Sequence, residues 1–168
     1  MTFRDVTGWW SEDDQRFYRK MVEESPSPAN FVELGCWFGS STTYMAAQIC
    51  ASGKDIRLFS YDTFEGSVNE PDMVKSAALE NVEGQFVRNM RQCGFHIERL
   101  SGDAPNGWED KTFMPRFLYA KSMSADAASY HPDASVDFVF VDACHSFEAV
   151  IADIRSASNA TSGAFFMV

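Results

Sequence analysis

The chain has 168 residues, 45% of them apolar and 14% aromatic, with a formal net charge of −10. That length suits one domain around a single sizeable core, and the apolar content excludes a disordered chain. The acidity, with no basic run or basic amphipathic stretch to offset it, argues against a nucleic-acid partner, which needs clustered Lys and Arg.

Strand and helix patterns alternate from the start. Ser11 followed by acids opens a helix through "SEDDQRFYRKMVEES", and "PSP" ends it. "NFVEL" reads as a short apolar strand. "SSTTYMAAQICA" reads as a helix with Ser or Thr as its cap and Gly53 near its end. "IRLFSYD" is the second strand. "PDMVKSAALENVEGQFVRNMRQCG" is mostly helical, weakened at Gly84 and closed at Gly94. "FHIERL" and "RFLYA" are short strands, separated by a loop from Ser101 to Pro115 that is a surface insertion or an acceptor-pocket wall. "SADAASYH" is a short helix, "VDFVFVD" a buried parallel strand, "SFEAVIADIRSA" an amphipathic helix and "GAFFMV" the last strand. The alternation predicts an α/β fold, a Rossmann-like, doubly wound, mostly parallel sheet with helices on both faces. Residues 1–24 form an N-terminal helical segment ahead of a domain spanning 25–168.

The leading residues "MTFRDVTGWWSEDDQ" are too polar for a signal peptide, and no stretch resembles a membrane span, so no membrane partner is expected. Cys36, Cys50, Cys93 and Cys144 form no CxxC pair and fit the reduced thiols of a cytoplasmic protein.

In a parallel sheet, ligands bind beyond the carboxyl ends of the strands. Glu33, Asp62 and Asp142 stand at three such ends, which favours a site over three helix caps. Between Gly35 and Gly39 lies "CWF", with Trp37 where a dinucleotide fingerprint has a glycine. A tryptophan there would crowd a pyrophosphate. A cofactor that brings a carboxylate to the turn and to the helix start fits better. Asp62, 27 residues after Gly35, is placed to accept from two ribose hydroxyls. The two features together describe S-adenosylmethionine.

"VELGCWFGSST", "YDTFEGS", "QFVRNMRQCG" and "SADAASYHPDASVDFVFVDACHSFEAVIADIRS" resemble the class I methyltransferases that use S-adenosylmethionine. The resemblance is strongest to the methyltransferase-24 branch, related to macrocin O-methyltransferases. It implies a cofactor site of Glu33, Gly35, Gly39, Asp62 and Ser124, with Asp142 at its edge. Asp142 and His145 match the family's D-x-x-H, which in some relatives supplies a magnesium ligand (Asp142) and a general base (His145). His145 is open between that role and helix capping, and His96 and His131 read as surface or loop histidines. The resemblance implies methyl transfer to a small-molecule acceptor, at a hydroxyl oxygen. Two other readings stay open: a non-catalytic domain that binds the cofactor, and a nicotinamide-dependent oxidoreductase. The family has seven strands, the seventh antiparallel between the fifth and sixth. With "SGAFFMV" counted as the sixth, the chain ends before the seventh, so the slot beside "VDFVFVD" is expected to lack its occupant. Either the last strand moves inward, or its edge is bare and recruits a second copy as a homodimer.

Overall fold

The computed structural model describes residues 1–9, 11–67, 69–100 and 117–167, with the backbone alone for 162–167. Six strands form one sheet: β1 (Ala29–Leu34), β2 (Ile56–Asp62), β3 (Ile97–Arg99), β4 (Phe117–Lys121), β5 (Val136–Val141) and β6 (Thr161–Met167). They lie in the order β3-β4-β2-β1-β5-β6, and each neighbouring pair is parallel. The helices are α1 (Glu12–Glu24), α2 (Ser40–Ser52), α3 (Pro71–Leu79), α4 (Val82–Gln92) and α5 (Phe147–Ala160).

Near-continuous apolar runs make these strands because both faces of a parallel sheet are covered. Alternate residues then divide between two cores. Phe31, Leu58, Phe117 and Phe138 pack under α1, α2 and α4, with Tyr18, Met45, Ile49 and Phe86. Val32, Leu34, Phe59 and Val139 face the other way, toward α5 and the 3-10 helix Ser124–Tyr130. The chain thus leaves β1 for one face and β5 for the other. The carboxyl ends of these adjacent strands form the topological switch point of the sheet, where open α/β folds bind ligands.

Several local expectations are corrected. The long helical stretch is two helices, broken at Glu80 and Asn81 rather than weakened at Gly84. Asn81 caps α4 by accepting from the Gly84 N–H at 2.9 Å, and a Cβ on Gly84 would stand 2.5 Å from the Asn81 amide. Glycine there makes room for the cap. The cap of α2 is Gly39 in the left-handed region, not a hydroxyl residue. Trp9, whose place before α1 suggests a packed N-terminal staple, is 74% exposed; Phe3, edge-on to Tyr44 at 4.9 Å, and buried Val6 pack the N-terminal segment instead. His131 is buried rather than on the surface. It lies 2.8 Å from the Tyr61 hydroxyl, and burial holds its imidazole down at about 4.

Of the two expected arrangements beside β5, direct pairing with the last strand is the one found. β6 pairs directly with β5 of the same chain, Phe165 opposite Phe138 and Phe166 opposite Val139. The count shifted because β3 is a three-residue edge addition beside β4. Without it the order reads β4-β2-β1-β5-β6, the 3-2-1-4-5 run of a doubly wound sheet, and β6 holds the fifth place in that run. Trp10 and the expected loop from Ser101 to Pro115, with Asp103, lie outside the described residues.

Candidate cofactor and active site

The glycine turn sits at the switch point. The Gly35 N–H continues the β1–β2 ladder by donating to the Tyr61 carbonyl at 2.8 Å, and the Asp142 N–H donates to Leu34 at 2.7 Å. Gly35 has φ +88°, and a Cβ there would stand 2.1 Å from the Asp142 carbonyl oxygen. The backbone at the end of β5 is therefore sufficient reason for glycine at this position. Gly39, also at φ +88°, lies under the Phe86 ring, which a Cβ would meet at 2.8 Å.

Asp62 clamps the turn. Its Oδ2 accepts from the Cys36 and Trp37 N–H groups at 2.8 Å each, and its Oδ1 accepts from Phe64 at 2.6 Å. Trp37 (φ +45°) and Phe64 (φ +56°) are non-glycine residues held in the left-handed region. Such residues cost on the order of 1–3 kcal/mol each and persist where their surroundings fix them. One carboxylate fixes both. A carboxylate offers about four acceptor positions, so one remains on Oδ1 for a ligand hydroxyl. The Trp37 ring stacks at a tilt on Phe38, centroids 4.9 Å apart.

Glu33 faces the same turn from below and is 0% exposed. Register puts Ser60 beside it on β2. Its oxygens accept from Ser41 at 2.5 Å, Thr42 at 2.6 Å and Ser60 at 2.7 Å. Burial pushes the carboxyl up to about 7 despite these three hydroxyls. It is thus tied to the start of α2 and to β2, with no part of it exposed to solvent.

Asp142 and His145 lie beyond β5, their side chains 35% and 60% exposed. His145 Nε2 stands 4.0 Å from Asp142 Oδ1, too far for a hydrogen bond. Burial raises the Asp142 carboxyl to about 6; His145 opposes the rise, and Asp14, Glu70 and Asp62 add to it. Among the described residues no three His, Cys, Asp or Glu side chains come together as metal ligands. The Ser124 hydroxyl donates to Asp153 on α5 at 2.6 Å, which turns it to the α5 face of the sheet, beside a small apolar void that it lines with Leu34 and Ala157.

Sequence reasoning treats Cys144 only as one of four reduced thiols. Its thiol is held below its ordinary value, first by the Ser146 N–H, and its Sγ lies 3.3 Å from the Asn69 side-chain nitrogen. Its place beside Asp142 and His145 is the available signal.

The two raised carboxyls set a pH dependence. A carboxyl whose value is higher in the folded chain binds protons more tightly there, so its contribution is full below the unfolded value and disappears as pH rises through the folded one. Stability is therefore expected to fall between about pH 4 and pH 7, with Glu33 moving from 4.5 to about 7 and Asp142 from 3.8 to about 6. For Glu33, at roughly 1.4 kcal/mol per tenfold in proton affinity, the loss is on the order of 3 kcal/mol. Urea titrations at pH 5 and pH 7.5 check this, and Glu33→Gln should flatten most of the difference.

The profile of the methyltransferase-24 family, described as a methyltransferase domain, matches residues 32–162. The chain belongs to this family of methyltransferase domains. No curated protein matches it. Among solved structures it is similar to a protein described as a type II methyltransferase from Anaeromyxobacter dehalogenans, at 16% identity and a TM-score of 0.44 over 88% of this chain and 42% of that one. It is also similar to the Podospora anserina methyltransferase PaMTH1, solved with S-adenosylhomocysteine bound, at 13% identity and a TM-score of 0.47 over 94% of this chain and 52% of that one. The chain spans about half the length of these structures or less. No helix among the described residues is long and apolar enough to cross a membrane.

Proposed function

We propose that this domain binds S-adenosylmethionine at the switch point and transfers its methyl group to a hydroxyl oxygen of a small molecule. The observation that carries the reading is the glycine turn clamped by Asp62 next to the start of α2, in a chain of the methyltransferase family. The first N–H groups of α2 lack intrahelical partners and suit the cofactor's carboxylate. The remaining acceptor position on Asp62 suits one ribose hydroxyl.

The cofactor supplies an electrophilic methyl group on a sulfonium, and the protein's share is to place the acceptor in line with it. Asp142 and His145 border the crevice at the end of β5, and the exposed imidazole is free to reach an acceptor hydroxyl and take its proton. A non-catalytic binding role is the second reading, favoured by the 4.0 Å gap that leaves His145 unoriented by Asp142.

Incubation with methyl-labelled cofactor and a panel of small alcohols and phenols tests the proposal. Label should enter an acceptor, and His145→Ala should slow transfer by ~10²–10⁴-fold while leaving cofactor affinity unchanged. Tight binding without transfer to any acceptor would support the second reading. Binding of NAD in preference to S-adenosylmethionine would refute both.

A further inference from the structure

The first turn of α2 carries four consecutive hydroxyl residues, Ser40, Ser41, Thr42 and Thr43, all buried. An exposed helix start with such a sequence would use one of them as a cap. Here Gly39 is the cap, Thr43 turns back to the Ser40 carbonyl at 2.9 Å, and Ser41 and Thr42 point inward to Glu33. A third hydroxyl, Ser60, reaches the same carboxylate from β2. One carboxylate thus joins the end of β1, the start of the helix that follows the cofactor turn, and the neighbouring strand. It touches the turn only through these hydroxyls.

We propose that Glu33 is a positioning residue: as a carboxylate it gathers Ser41, Thr42 and Ser60 and holds the first turn of α2 in the pose that receives the cofactor. The proposal rests on the cofactor reading given above. Three donors on two oxygens suit an ionised carboxylate, which is acceptor-only. A protonated carboxyl turns one of its own oxygens into a donor. The hydroxyl facing the protonated oxygen must then turn its own hydrogen elsewhere and accept instead. The charge-assisted bonds that tie Ser41 and Thr42 to the carboxylate weaken to neutral ones, which loosens the α2 turn.

The raised value of Glu33 places this change near neutral pH. Among the described residues, the other titratable groups within its electrostatic reach are Tyr18 on α1, Cys36 in the turn and Asp142 beyond β5, and none of these three is a cation. Proton uptake by Glu33 is therefore opposed by the hydroxyls alone. If the ionised form is the competent one, the apparent dissociation constant rises as the competent fraction falls.

The test is S-adenosylhomocysteine binding by calorimetry from pH 5.5 to 7.5, with amide NMR of Ser41 and Thr42 over the same range. The dissociation constant of the unmodified protein should rise by roughly tenfold or more toward pH 5.5, and both amides should titrate with a midpoint near 7. Glu33→Gln should bind with little pH dependence, and Asp142→Asn should retain it. Ser60→Ala, which removes one donor to the ionised form, should move the amide midpoint to higher pH. It serves as the deciding variant should Glu33→Gln not fold. Affinity that is flat across the range with still amides, or a pH dependence that survives Glu33→Gln, overturns the proposal. Titrating amides in a protein that binds no S-adenosylhomocysteine at any pH would refute the methyltransferase reading and leave the hydroxyl latch standing.

Discussion

Gly35→Ala is expected to lose about 2–5 kcal/mol of stability, the sum of an overpacked contact and a left-handed alanine. The new Cβ would stand 2.1 Å from the Asp142 carbonyl oxygen and 2.8 Å from the Ala143 Cα, both backbone atoms of a central strand's end. Neither can move without breaking the Asp142 to Leu34 hydrogen bond that continues the β1–β5 pairing. Gly53, at φ +67° with open space for 4 Å around the place a Cβ would take, is the matched control. Gly53→Ala should cost only the left-handed penalty, roughly 1–2 kcal/mol. Urea unfolding of the two variants separates clash from strain. Equal losses would mean that the end of β5 yields to the added carbon.

Asp62→Ala should weaken both the fold and the cofactor site. Three backbone N–H groups lose a charged acceptor, at about 1.5–3 kcal/mol for a bond of that kind when buried, less where solvent can replace it. Trp37 and Phe64 lose the contact that holds them at positive φ. A net loss of about 2 kcal/mol or more in unfolding free energy is expected without any ligand present. A residue that did nothing except hold a ribose would leave the ligand-free stability unchanged. Asp62→Asn, with a single carbonyl oxygen, should fall between the two, because it can serve one side of the clamp but not both.

Much of this is legible in the residues. Ser11 and its acids, the apolar runs "NFVEL" and "VDFVFVD" and the glycines at 35 and 39 set the element order, because periodicity and capping are local signals. The three strand-end acids also fall where the sheet brings strand ends together. Their roles are less legible. Position alone points Glu33 at the cofactor, but parallel register sets Ser60 beside it and the α2 hydroxyls close over it. Spacing points Asp62 at a ribose, and the turn takes three of its acceptor positions first. Gly35 reads as space for a ligand, and only the fold shows that the place a Cβ would take is occupied by the end of β5, far along the chain. Likeness to a motif places Ser124 at the cofactor, and no local signal shows that its hydroxyl is bonded to Asp153 on α5. The miscounted last strand has the same origin, since nothing in "FHIERL" distinguishes an edge addition from a central strand. Pairings distant in sequence decide each of these.

The central claim is that S-adenosylmethionine binds at the switch point between β1 and β5, against the turn that Asp62 clamps. Amide chemical-shift mapping of the unmodified protein with S-adenosylhomocysteine tests it most directly. Shifts should cluster at Gly35 to Ser41 and at Asp62 to Phe64, with smaller changes at Asp142 and Ala143 and none along α3. No saturable shifts, or shifts confined to other surfaces, would contradict the account.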